Sequence, residues 1–477
     1  MKSLRATLLC ILLVATLLAG CINSGTTETQ TPTTTAAPTT QAPTTAAPTT
    51  AAPTTAAPTT MAPTHPPTTA PPTGTPMDSA WPFVRYNTAS TAQTDMDLPS
   101  SLSEQWSVRA YPQTTPVVEY GRVYVGVRLL GDEYVFGLCC FDLDTGDLLW
   151  SAPNGDPYPT TSTYYSSPAV ADGRVVFVRY NNDIVNATCY NAITGQVIWN
   201  TSWSDYKQFF SPIIANGLVY LAHGRSMMDD QRPPLGGVIC LDLETGFTQW
   251  SQTTADYVGG PVALGSGGLF ITTYNYNTGK SAVERMDAAT GRRDWTIQLS
   301  DASYDACTPI YEGGYVYVAI GASNTSWDYI GRVYRIDAVN GAVSWTLDLP
   351  NSPSDSRQPL IAGSLYIIPT VMNQKTTLTA INTSTGRVAW SQLMDAIYDT
   401  FSTNGEYLVC VRNDTFYNPR PPTQEANMSL FDLSLRRMVW NEQYTVPSSR
   451  YWETAFTPTI AGGGIVFAVG AKIAWYT

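Results

Sequence analysis

Few side chains in this sequence are of the types from which reaction chemistry is usually built. There are two histidines, His65 and His223, which leaves little from which to assemble a His-based triad or a multi-His metal centre. Of eight cysteines, Cys140, Cys189 and Cys240 share one column ten residues before a tryptophan. There they are expected to pack as small hydrophobes. No CxxC spacing occurs, so a zinc site has no support. Asp229 and Asp230 fall in a predicted loop and read as solvated carboxylates.

Two kinds of covalent chemistry remain. Cys21 ends the run LAGC after a positive start (Lys2, Arg5) and an apolar stretch from Leu8 to Leu18 that is too short to span a bilayer. This resembles a lipobox, in which cleavage precedes Cys21 and its thiol takes a lipid. An ordinary signal peptide or an uncleaved anchor is the alternative. Six sequons stand at Asn186, Asn200, Asn324, Asn382, Asn413 and Asn427. In an archaeon some of these could carry glycans, and the Thr-rich tract after Cys21 leans the same way.

The sequence divides into residues 1–20 as signal peptide, 21–77 as lipidated cysteine plus stalk, and 78–477 as one folded domain. The stalk repeats TTAAP and holds too little apolar surface to fold. Fully extended as polyproline II it would reach about 165 Å. Net charge is −12 and only 13% of residues are charged, which argues against a nucleic-acid partner.

The elements that must position any site come from a repeat. Trp106, Trp150, Trp199, Trp250, Trp295, Trp345, Trp390 and Trp440 follow one another at steps of 44 to 51 residues. Upstream of them stand CFDLDTGDLLW, CYNAITGQVIW, CLDLETGFTQW, RMDAATGRRDW, RIDAVNGAVSW and AINTSTGRVAW. Asp or Asn eight residues before Trp and Gly four before it spell strand, turn, strand. The seventh, LFDLSLRRMVW, keeps Asp432 but loses the Thr-Gly turn. The other half of each unit opens on Pro116, Pro168, Pro212, Pro261, Pro309, Pro359 or Pro458 and reads as a second hairpin, with Pro at the first residue of its strand.

Each unit is therefore a four-stranded antiparallel meander, and such units stack radially as a β-propeller. Seven complete units run from Pro116 to Trp440; residues 458–476 supply three more strands, and Leu102–Val108 is a lone strand before the array. Their sum predicts an all-β, eight-bladed propeller whose last blade is closed by the N-terminal strand. The Trp column reads as packing between neighbouring blades.

The recurring [AC]-x-D-x-x-T-G-x-x-x-W motif, with S/T-P starts and the lead-in WPFVRYNTAST, resembles the pyrroloquinoline-quinone-type repeat propellers over roughly residues 80–477. That family includes quinone-dependent alcohol and sugar dehydrogenases. It also includes non-enzymatic members, such as a lipoprotein scaffold of the outer-membrane barrel-assembly machine. In the dehydrogenases the resemblance would imply pyrroloquinoline quinone with calcium and a vicinal disulfide, for which the adjacent Cys139 and Cys140 invite consideration. These two lie within a predicted strand, where neighbours face opposite ways and Cα atoms sit about 3.8 Å apart. No calcium ligands or catalytic base can be placed residue by residue, so no catalytic, cofactor or metal residue is assigned.

What does not recur is a set of long loops in units three, five and seven and a Tyr/Asp-rich series between units: Tyr164, Tyr165, Tyr206, Tyr257, Tyr304, Tyr398, Tyr451 and Trp452, with Asp205, Asp256, Asp305 and Asp399. These are expected to line the mouth of the central channel as a binding rim, or else to fill its taper. The expectation is a monomeric, non-catalytic platform, lipid-anchored on the outer face of the cell membrane, for an envelope protein or surface glycan. A quinone-dependent dehydrogenase and a purely structural envelope component are the alternatives.

Overall fold

The computed structural model describes residue 80, residues 83–130, 133–153, 164–181, 184–204, 208–224, 236–275, 277–302, 305–323, 329–351, 353, 358–413, 424–446 and 456–477. The chain divides into two units, Met1–Thr68 and Thr69–Thr477. The first, with Cys21 and most of the expected stalk, lies outside the described residues. Among the described residues no helix is long and apolar enough to cross a membrane.

The second unit is a β-propeller built of antiparallel sheets. The first unit of the array meanders through Val117–Glu119, Arg122–Leu130, Glu133–Asp142 and Leu148–Pro153. The expected Pro position needs one correction. In four units Pro does not begin a single inner strand but separates two short pieces that pair with the same neighbour. Around Pro168 these are Tyr164–Tyr165 and Ala169–Ala171, both against Arg174–Asn181. Pro212, Pro261 and Pro309 sit in equivalent breaks. Pro has no N–H to give to a ladder, so the pairing lapses where it stands. The unit that lacks this Pro keeps an undivided inner strand, Thr400–Thr403.

The outer strands share a feature that no residue type announces. Register shifts by one residue beside every Trp: at Cys140/Phe141, Cys240/Leu241, Arg335/Ile336 and their equivalents. The residue before each Trp is thus a bulge, which turns the ring toward the next unit. The strand Glu104–Pro112 carries the same shift between Glu104 and Trp106, where it pairs with Lys472–Tyr476. It is therefore the equivalent of an outer strand, and it completes the sheet of the three C-terminal strands as expected. Its far end, Ala110–Pro112, pairs with Arg122–Leu130, so one strand serves two units and joins them in an eight-stranded sheet.

Trp106, Trp150, Trp199, Trp250, Trp295 and Trp345 then reach the turn of the following unit. Trp106 Nε1 donates to Leu143 O at 2.7 Å, Trp150 to Ala192 O at 3.1 Å and Trp199 to Leu243 O at 2.8 Å. The face of the ring lies on the turn glycine. A Cβ on Gly146, Gly195 or Gly246 would come within 2.6 Å of the preceding unit's indole. These glycines also hold positive φ, so two independent constraints select the residue. In the seventh unit Arg436 takes the same place with φ 53.

Gly246 and Gly217 separate the two constraints. Both have φ 72, but nothing lies within 4 Å of a Cβ built on Gly217. Gly217→Ala should cost about 1 kcal/mol through backbone conformation alone. Gly246→Ala should cost roughly 2 kcal/mol more, because Trp199 must shift. Urea unfolding of both variants measures the difference; equal losses would remove the packing role.

The closing strand carries a testable charge. Glu104 accepts from Lys472 Nζ at 2.5 Å and from the Tyr476 hydroxyl at 2.7 Å. Partial burial pushes the Glu104 carboxyl up, but hydrogen bonds from Lys472, Ser107 and Tyr476 outweigh it and hold it at about 2, against an ordinary 4.5. A carboxylate held low stabilises fully above its unfolded value and loses that contribution as pH falls. Wild-type protein should thus lose stability between pH 4.5 and 2, and Glu104→Gln should flatten that limb in acid denaturation.

Candidate functional site

The lead-in, residues 83–96, is threaded across the inner ends of successive units. Its backbone oxygens accept from Leu264 N (to Thr88 O, 2.8 Å), Tyr311 N (to Ala89 O, 3.0 Å), Ile361 N (to Thr91 O, 3.1 Å) and Thr403 N (to Ala92 O, 3.1 Å). Phe83 enters the core shared by units two to four. The segment therefore lies against the second inner pieces, where the channel through the propeller would otherwise continue.

The residues before the inner Pro form a second ring around the axis. Thr115 N donates to Ser167 Oγ and Ser167 N to Ser211 Oγ, each at 3.1 Å. Thr308 N donates to Gln358 Oε1 at 2.8 Å, and at the closing joint Thr459, the residue after Pro458, donates its Oγ1 to Pro116 O at 2.7 Å. The polar residue in this column thus ties one unit to the next at the axis, as the Trp does at the periphery.

Between ring and lead-in lies a cavity of about 330 Å³, and every unit contributes to its wall. Hydroxyls come from Thr114, Ser166, Ser167 and Ser211, rings from Tyr165, Phe209, Phe401 and Phe456, one carboxylate from Asp399, and one guanidinium from Arg85. Arg85 is only 8% exposed. Its Nε donates to Ser90 O at 3.0 Å and its Nη2 to Pro359 O. Burial pushes it down to about 10. Sequence reasoning passed over Arg85, although a lone cation in a charge-poor lead-in was the available signal.

The expected rim is only partly brought together here. Tyr165 and Asp399 reach the cavity wall. Tyr398 does not belong to a rim: it is 4% exposed, with its hydroxyl on Asp395 Oδ1 at 3.1 Å and its N–H on Thr376 Oγ1 at 2.9 Å. Tyr257 is half-buried and covers Gly224. Asp256 accepts from Asn275 Nδ2 at 2.6 Å. Tyr164 and Asp305 stand in short inner strands, and their side chains lie outside the described residues. So do Tyr206, Tyr304, Tyr451, Trp452, Asp205 and the three long loops. All eight Trp of the repeat are buried or half-buried, as packing requires.

Among the sequons, Asn200 is exposed on an outer strand. Asn186 is half-buried and accepts from Ser202 Oγ at 2.7 Å. Asn382 spends its carbonyl on the turn, accepting from Thr385 N at 3.0 Å. Asn427 is half-buried, and the side chains of Asn324 and Asn413 lie outside the described residues.

Cys139 and Cys140 are both free and buried in different cores, one shared with the closing sheet and one with unit two. Burial pushes both thiols up to about 12, which suits packing and not nucleophilic chemistry. A quinone–calcium group fits the cavity poorly. Calcium takes roughly six to eight oxygen ligands, usually with several carboxylates. Among the described residues this wall offers the one carboxylate of Asp399 and also a buried cation.

A family profile described as "Outer membrane protein assembly factor BamB" matches residues 98–296, 234–397 and 279–474. No curated protein matches the chain. Among solved structures it is similar to BamB from Moraxella catarrhalis, at 13% identity and TM-score 0.55, covering 79% of this chain and 99% of that one. It is also similar to the quinohemoprotein alcohol dehydrogenase from Comamonas testosteroni, at 12% identity and TM-score 0.59, covering 83% and 80%. Identities this low establish the common fold and nothing finer.

His223, also singled out from the sequence, backs the cavity wall: it is 1% exposed, with its ring 5.6 Å from that of Phe209. Burial pushes it down to about 4 from an ordinary 6.5. The unfolded chain therefore binds the extra proton first, so stability is complete above 6.5 and declines toward pH 4. Thermal melts from pH 7 to 4 should show that decline, and His223→Gln should flatten it.

Proposed function

Because the chain belongs to the family of the outer membrane protein assembly factor BamB, we propose that it is a non-catalytic propeller that docks a protein partner in the cell envelope. The observation that carries this reading is the family match, which spans nearly all of the propeller. The residues that recur support it. The Trp, Asp and Gly columns and the axial hydroxyls are consumed in joining units, which leaves the loops free to vary.

Cys21 is the proposed anchor, with the stalk holding an eight-bladed ring away from the membrane surface. Cys21→Ala should release the protein or leave its precursor uncleaved when membrane and soluble fractions are blotted. Normal processing with full membrane retention would place the anchor elsewhere.

Docking falls to the variable loops and inter-unit aromatics. Affinity purification of cross-linked native envelope should return a defined partner, and replacing Tyr206, Tyr451 and Trp452 with Ala should remove it without lowering the melting temperature. Large aromatic rings lose little entropy on docking, which is why the loss should be large. Purified protein given pyrroloquinoline quinone and calcium should not oxidise alcohols or sugars. Tight quinone binding with dye reduction would replace this reading by a dehydrogenase.

A further inference from the structure

We propose that the axial cavity is a binding site for a small monocarboxylate with an apolar body, its carboxylate received by Arg85 and by the hydroxyl groups of the inner ring. Three observations on the cavity lead there, and none depends on a partner docking at the loops.

The first is the state of Arg85. A guanidinium presents five N–H donors and stays charged. Two of its nitrogens are engaged by backbone oxygens of Ser90 and Pro359, whereas Nη1 has no acceptor among the described residues. No carboxylate there lies within ion-pair distance of it. A buried cation without a counter-charge is costly, and an anion arriving in the cavity would offset that cost.

The second is the direction of the hydroxyl protons. Four wall hydroxyls already accept a backbone N–H: Thr114 from Gly126 at 2.8 Å, Ser166 from Val178 at 3.2 Å, Ser167 from Thr115 at 3.1 Å and Ser211 from Ser167 at 3.1 Å. A hydroxyl whose oxygen faces an N–H must turn its own proton elsewhere. The ring is therefore biased toward donating, which suits an acceptor-only group such as a carboxylate.

The third is size and sign. About 330 Å³ is at the small end of ligand pockets, enough for one ring and a short acid. The rings of Phe209 and Phe401 in the wall suit an apolar body. Asp399 stands in the same wall and opposes a second negative charge, so a monoanion is favoured over a phosphate dianion.

The same chemistry could arrive as a free acid or as the C-terminal carboxylate of a peptide. Calorimetry on the intact protein would use 3-phenylpropionate, its amide, phenyl phosphate, and Gly-Gly-Phe with a free or amidated C-terminus. Binding of 3-phenylpropionate but not its amide is expected, and so is at least tenfold weaker binding of phenyl phosphate. Binding of the free-ended peptide alone would support the site as a receiver of chain ends. Arg85→Gln should weaken binding at least tenfold while Arg85→Lys retains part of it. Should Arg85→Gln fail to fold, Ser211→Ala should still lower affinity several-fold. Equal binding of acid and amide, no binding of any carboxylate at millimolar concentration, or unchanged affinity in a folded Arg85→Gln would overturn the proposal.

Discussion

The architecture depends on one contact repeated at six successive joints: an indole from one unit lying flat on the turn glycine of the next. The contact works only because three local features coincide. A bulge turns the Trp out of its sheet, the Asp side chain shapes the turn, and the glycine leaves room for the ring. In the first turn Asp142 Oδ1 accepts from both Asp144 N and Thr145 N at 3.0 Å, while Gly146 N returns to Asp142 O at 3.0 Å. Remove any one and the indole loses either its surface or its carbonyl acceptor. Four-stranded sheets with modest individual cores thereby become one continuous body. The core that runs from Leu98 through Tyr407 to Tyr476 is the largest expression of that continuity.

The axis shows a different solution to the same problem. There small hydroxyls tie one backbone to the next, among the larger rings that line the cavity. The inner Pro makes this possible by interrupting the ladder, which frees a backbone N–H to point sideways at the neighbour. Thr115 N and Ser167 N do this in consecutive units. The cavity is a by-product of these rules: its hydroxyl wall is the joint between units, and Val84 and Arg85 of the lead-in line it as well.

Much of this was legible in the sequence, and for a physical reason. Scaffold residues repeat because the same contact is made many times, so the Trp, Asp and Gly columns announced strands, turns and closure together. The bulges were not legible. The residue that forms them is Leu149, Ile198, Gln249, Asp294, Ser344, Ala389 or Val439, a position chosen by geometry and not by type. Tyr398 was misplaced because Tyr beside Asp reads the same whether its hydroxyl meets solvent or, as here, a neighbouring Asp395. Arg85 occurs once, outside the repeat, so no column could point to it; only the threaded path of the lead-in brings it to the axis.

The strand Glu104–Pro112 carries a consequence for the order in which the molecule can be made. Its edge is satisfied by residues as far away as Tyr476, 372 positions later. A ribosome adding roughly 5–20 residues per second delivers that partner only after the intervening strands have been made. Until then the chain is an open arc with an unpaired edge at its start, the kind of edge that recruits wrong partners. Closing the ring thus requires both ends of that span, Glu104–Pro112 and Lys472–Tyr476, to be present together.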